Sequence, residues 1–259
     1  MRRSSSEDDL DHDGDGYWHA ARRPLQILAF LLPLIIAYEL CLAVVLPSGD
    51  GADILTVQAH RSLLWFFGVF GIAPTGGLFL GGVVIAVVLL CWHVLARERW
   101  SVDVRVAGLM GVEAIALALP LLVLGHLVAN LAAATPTTTS FADLDVLSQM
   151  AISVGAGLYE ELVFRMVLIA LVDTLLVDLA GLSTRAGAAV AIVVSAVAFT
   201  FYHDLSGPGG VVSTVKLAFY FLAGLYFGAV FVLRGFGLVV GAHAVYDILT
   251  VLLAAATRA

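Results

Sequence analysis

The chain has 259 residues, 61% hydrophobic and 13% charged, with a mean hydropathy of +1.01, which excludes an ordinary soluble domain. Its formal net charge is −7, but Glu7, Asp8, Asp9, Asp11, Asp13 and Asp15 all precede Gly16, so the imbalance belongs to a tail. Arginines scattered at the ends of apolar runs, with no basic face, exclude nucleic acid as a partner and leave the lipid bilayer as the expected surrounding.

Residues 1–20 are rich in Ser, Asp and Gly and read as a disordered acidic tail, with too little apolar surface to offset chain ordering. Asp11-His12-Asp13-Gly14-Asp15-Gly16 mimics the opening of a calcium-binding loop, but the twelfth position is Arg22 where the bidentate Glu belongs. Apolar runs then follow at 25–46, 77–96, 105–133, 150–177, 186–204, 213–233 and 236–256, each long enough to span a bilayer. The first follows Arg22 and Arg23 and reads as a retained anchor rather than a cleaved signal. Ser62 to Ala73 is short and interrupted by Pro74, Gly76 and Gly77, so it reads as interfacial or re-entrant, or as an eighth span. The expected fold is all-α, a polytopic transmembrane helical bundle of seven to eight spans. Residues 21–140 supply N-terminal transmembrane helices, and 141–259 hold the site in the core of the C-terminal helices.

Arg22, Arg23, Arg97, Arg99, Arg105, Arg185 and Arg234 fall on one side of the seven-span arrangement, which makes that side and the N-terminus cytoplasmic. The expected location is thus integral to a membrane, with a prokaryotic cell membrane as the expected host. Cys41 and Cys91 fall near opposite faces, too far apart for a disulfide. Gly224 and Gly228, and Gly77, Gly81 and Gly82, have the spacing of close helix contacts. Pro120 is expected to kink its span.

Three polar islands interrupt the apolar runs of the C-terminal half. Glu160, Glu161 and Arg165 stand in one, and a charge at the bilayer centre costs at least about 2.5 to 3.5 kcal/mol, so such residues face a protein interior or a hydrated cavity. Glu161 and Arg165 share a helical face and are expected to form a structural ion pair, leaving Glu160 free as a general base. Phe199 and His203 form the second island, with His203 closing a helix before a Gly-rich turn. His243 and Asp247, again four apart, form the third. Glu39, His93, His126, Asp173 and Lys216 lie near span ends, where snorkelling explains them. Glu113 does not.

Glu160-Glu161-x-x-x-Arg165, Phe199-x-x-x-His203 and His243-x-x-x-Asp247, in that order on successive apolar helices, resemble the signature of the CPBP family. These are the CAAX prenyl protease and bacteriocin-processing (Abi) intramembrane endopeptidases. The resemblance covers roughly 145–255 and implies an endopeptidase that hydrolyses a peptide bond of a membrane-associated or peptide substrate. It implies that Glu160 and His203 activate water while His243 and residue 247 stabilise the oxyanion. The family commonly has Asn at the last position. An ionised Asp would repel the oxyanion, so Asp247 is either protonated or orients His243 instead. No cofactor is expected, because the four groups can perform both roles unaided. The alternative is a divalent metal such as zinc on Glu160, His203, His243 and Asp247. Two other classes fit the same residues: a proton-coupled transporter with a midplane relay, and a non-catalytic membrane protein of the bacteriocin-immunity kind.

Overall fold

The computed structural model describes residues 16–44, 57–69, 71, 80–131, 141 and 143–258. Among them the chain is helical, with one isolated bridge between Ser206 and Val212. The helices are α1 (Pro24–Val44), α2 (Gln58–Val69), α3 (Leu80–Ala96), α4 (Val104–Leu131), α5 (Val146–Glu161), α6 (Leu168–Asp173), α7 (Thr184–Tyr202), α8 (Thr214–Arg234) and α9 (Phe236–Arg258). π-helical turns at Leu162–Val167 and Thr174–Leu179 flank α6, so α5 and α6 form one interrupted rod. By length and composition α1, α4, α7, α8 and α9 can each cross a membrane, and α3 is a shorter apolar helix. The expected helical membrane bundle is therefore present.

α2 covers most of the stretch expected to be interfacial or re-entrant; Pro74, Gly76 and Gly77 lie outside the described residues, as do 1–15 of the tail. Residues 16–20 depart from the disordered tail expected of 1–20: they are helical. The cause is contact, since the Tyr17 hydroxyl donates to Glu113 Oε2 at 2.5 Å and the Trp18 ring lies 3.5 Å from the Arg234 guanidinium. His93 departs from the snorkelling expectation: it is fully buried, edge-on to Trp100 at 4.6 Å, and among the described residues neither ring nitrogen has a hydrogen-bond partner. Glu39 turns inward too, accepting from the Gly82 N–H at 3.1 Å and the Tyr159 hydroxyl at 3.2 Å.

Two pairings position the site. α9 packs along α5 more extensively than any other two elements meet. Gly157 permits it, since a Cβ there would lie 2.9 Å from the Ala244 backbone nitrogen. α7 packs along α8, with Gly224 seated against Ala196 and Gly228 against Ile192, the close approach their spacing predicts. Continued down both helices, that pairing brings Arg185 level with Gly235. Gly235 joins α8 to α9 at φ +90°, a left-handed conformation that favours glycine.

Candidate active site

Glu160 and His203 meet because of a count along the chain. Glu160 lies 19 residues before Leu179, the end of the interrupted rod, and His203 lies 19 residues after Thr184, where α7 begins. An antiparallel hairpin about residues 180–183 therefore sets them level. Measured instead from expected outer span ends, the two fall about 10 Å apart in depth, at roughly 1.5 Å per residue. The same rule operates at the next hairpin: Phe227 lies eight residues before Gly235 and His243 eight after, and their rings stack at 4.5 Å.

The interrupted rod changes pitch directly after Glu161, where the π turn Leu162–Val167 begins. Such turns recur at functional sites, because the extra residue re-aims side chains. Ser195 on α7 donates its hydroxyl to the Phe164 carbonyl within this turn at 2.7 Å.

Two carboxylates and two imidazoles line one cavity of about 420 Å³: Glu160, Asp247, His203 and His243. His203 caps α7 with extended backbone, and its Nδ1 lies 2.7 Å from the Phe199 carbonyl. A carbonyl only accepts, so Nδ1 carries the proton and donates, leaving Nε2 to face Glu160 Oε2 at 3.7 Å. Oε2 is shielded from solvent and makes no hydrogen bond among the described residues. His243 is held from both sides: Nδ1 donates to Glu161 Oε1 at 2.7 Å, and Nε2 lies 3.6 Å from Asp247 Oδ2.

Glu161 pairs with Arg165 as expected, at 3.1 Å with both side chains fully buried. Its second oxygen goes to His243, so the structural pair also fixes the orientation of an imidazole in the cavity. The Arg165 guanidinium lies 4.3 Å from the centre of the Phe199 ring and 5.4 Å from that of Phe227, a cation–π setting that uses the faces its single ion pair leaves open.

The sequence reading missed Tyr220 and Phe227. Tyr220 stacks on His203 at 4.0 Å and Phe227 on His243, so α8 supplies a flat platform beneath each imidazole. The signal was present in the stripe Tyr220, Ala223, Gly224, Phe227, with the heptad spacing of one helical face. Gly224 meets Ala196 of α7, Ala223 lines the cavity, and the two rings reach the two histidines.

As for a metal, His243 Nδ1 is committed to Glu161, and His203 Nδ1 to a carbonyl. Among the described residues no three His, Cys, Asp or Glu side chains gather closely enough to hold an ion. The nitrogen left on each ring is Nε2, and it faces a carboxylate, Glu160 for His203 and Asp247 for His243.

Residues 142–249 match the family described as type II CAAX prenyl endopeptidase, Rce1-like. No curated protein and no solved structure matches the chain.

Proposed function

From the premise that residues 142–249 are an Rce1-like region of the type II CAAX prenyl endopeptidase kind, we propose that this membrane protein is an intramembrane endopeptidase whose reaction centre is the Glu160–His203–His243–Asp247 cavity. The observation that carries the reading is the convergence of these groups from three separate helical segments, with complementary hydrogen-bonding roles, in one cavity.

Water held between Glu160 Oε2 and His203 Nε2 donates one hydrogen to each acceptor, leaving an oxygen lone pair aimed at a peptide carbonyl. Glu160 takes a proton as the water oxygen bonds to the carbonyl carbon. The charge that develops on the carbonyl oxygen meets His243 Nε2–H, with the ring doubly protonated in this step. Glu161 holds that ring in place through Nδ1. The proton on Glu160 then passes to the amide nitrogen as the C–N bond breaks, giving a carboxylic acid and an amine.

Asp247 acts here through His243, orienting Nε2. Asp247→Asn removes a negative charge beside the oxyanion while keeping the side-chain shape, and proteolysis is expected to stay within about tenfold of wild type, or ~1.4 kcal/mol. Asp247→Leu is expected to fall further. These side chains fill the base and oxyanion roles by themselves in this reading, so cleavage is expected to persist in a chelator.

The deciding assay is cleavage of a single-span reporter by the purified protein in proteoliposomes, wild type against Glu160→Gln. Loss of cleavage in the variant is the expected result. Equal cleavage by both would overturn the proposal, and proton flux without cleavage would replace it with a transport relay.

A further inference from the structure

We infer that the cavity opens away from the cytoplasm, and that its substrates are membrane-anchored chains presenting their cleavable segment on the outer side of the bilayer. The inference rests on the proteolytic reading for the word substrate, but its orientation rests on charge and geometry alone.

One end of the bundle gathers the cations. Arg23 pairs with Glu98 at 3.1 Å and donates to the Arg99 carbonyl at 2.7 Å. Gln26 and Asp103 exchange two hydrogen bonds, which bring the start of α1 against the α3–α4 connection bearing Arg97, Arg99 and Arg105. Arg234 closes the same end, bonded to Glu113 on α4 and covered by Trp18, and Arg185 lies level with the Gly235 turn. Seven arginines, counting Arg22, thus share one end.

The cavity faces the other end. Tyr220, stacked on His203, is six residues from the start of α8 and fourteen from Arg234, which places the imidazole about 21 Å from the arginine end at 1.5 Å per residue. The cavity wall also takes in Thr250, as many residues beyond Gly235 as Tyr220 is before it, and Phe141, which precedes α5 at that other end. Its lip is the segment 203–213, where Lys216 donates to the Ser206 carbonyl at 2.8 Å and faces Asp204 at 3.7 Å. Asp204 and Asp145 both stand at this end with carboxyls held below the ordinary range, by hydrogen bonds from Ser206 and Ser148 respectively. Arg61, Lys216 and Arg258, the last residue of α9, are its described cations. Seven against three is a strong bias under the positive-inside rule, which counts short connections such as these.

The cavity also communicates sideways. A groove of about 240 Å³ between α4 and α8, lined by Gly125, Val128 and Val215, shares Phe219, Tyr220 and Tyr246 with its wall. A chain anchored in the outer half of the bilayer meets the reacting groups through that flank without crossing the arginine end.

The test uses the full chain with Cys41 and Cys91 replaced by Ala, carrying Ser206→Cys at the lip or Ser101→Cys at the arginine end. Both serines are exposed. With a membrane-impermeant maleimide on intact cells, Ser206→Cys is expected to label at least tenfold faster than Ser101→Cys, and both equally once the membrane is opened. The reverse order overturns the orientation whatever the activity. Alongside, a pool of single-span reporters with randomised juxtamembrane segments is inserted in both orientations. Cleavage confined to outward-facing segments is expected, and cleavage of inward-facing ones overturns the substrate assignment. If neither is cut while Ser206→Cys labels from outside, proteolysis fails and the orientation stands.

Discussion

Glu113–Arg234 at the arginine end and Glu161–Arg165 beside the cavity are both glutamate–arginine pairs, and they are built differently. Glu113 and Arg234 join α4 to α8 as a fork, at 2.5 and 2.7 Å, with Tyr17 on the same carboxylate and Trp18 over the guanidinium. Both oxygens of that glutamate are consumed by the contact. Glu161 and Arg165 sit on one rod, fully buried, and meet through a single 3.1 Å contact. The second oxygen of Glu161 is spent on His243. A saturated pair can only clamp helices together, whereas a pair with capacity left over can hold another group at a chosen angle. The contrast separates a clamp between helices from a support for the candidate site.

Glu160→Gln beside Glu113→Gln probes that contrast most directly. The first is expected to lower the cleavage rate by about 10²- to 10⁴-fold, the usual contribution of a general base, with helicity and melting retained. The second is expected to cleave at the wild-type rate and to melt earlier, by the 1.5 to 3 kcal/mol or so of a hydrogen bond to a charged group. Equal loss of cleavage in both would erase the distinction.

Glu161→Leu strands Arg165 as an unpaired buried charge, with an expected loss of about 3–5 kcal/mol in denaturant titration. Adding Arg165→Met is expected to restore most of that stability, because an apolar pair can replace a buried ionic one. Proteolysis is expected to stay lost, since His243 has no carboxylate behind it. Recovery of cleavage in the double variant would reduce Glu161 to a structural partner.

Tyr220→Leu removes the platform under His203. The ring contact is worth about 0.5–1.5 kcal/mol, so a fall of at most roughly tenfold in cleavage is expected, read as a change in kcat with little change in KM.

The smallest effect belongs to Asp145, which caps α5 by accepting from the Ser148 N–H at 3.0 Å. Its carboxyl is held below the ordinary value of 3.8, first by the Ser148 hydroxyl. The cap therefore contributes fully above that value and is lost as pH falls through the lower folded value. Asp145→Ala is expected to melt slightly earlier than wild type at neutral pH, with the gap closing below pH 3.8. A gap that persists there would assign the effect to something other than the charge.

Much of the site was legible because its chemistry is local. Glu161 and Arg165, and His243 and Asp247, are four apart on helices, and that spacing alone predicts each contact. The bond from His243 to Glu161 was not legible, because it spans 82 residues and depends on Gly157 letting α9 approach α5. Tyr220 and Phe227 were hidden for another reason: an aromatic in an apolar helix reads the same whether it faces lipid or an imidazole. The helical tail residues 16–20 escaped because their order comes from Glu113 and Arg234, far away in sequence. The level of His203 with Glu160 was available from the sequence, once both were counted from the turn they share.

That equal count also makes the connection at residues 180–183 a joint rather than a gauge. Register resides in the rods on either side, so adding or deleting residues in the joint leaves Glu160 opposite His203, whereas one residue inserted into α7 rotates His203 by about 100°. A polypeptide severed between Gly181 and Leu182 and made as two fragments is thus expected to reassemble into a working enzyme, its reaction centre divided between pieces that insert separately.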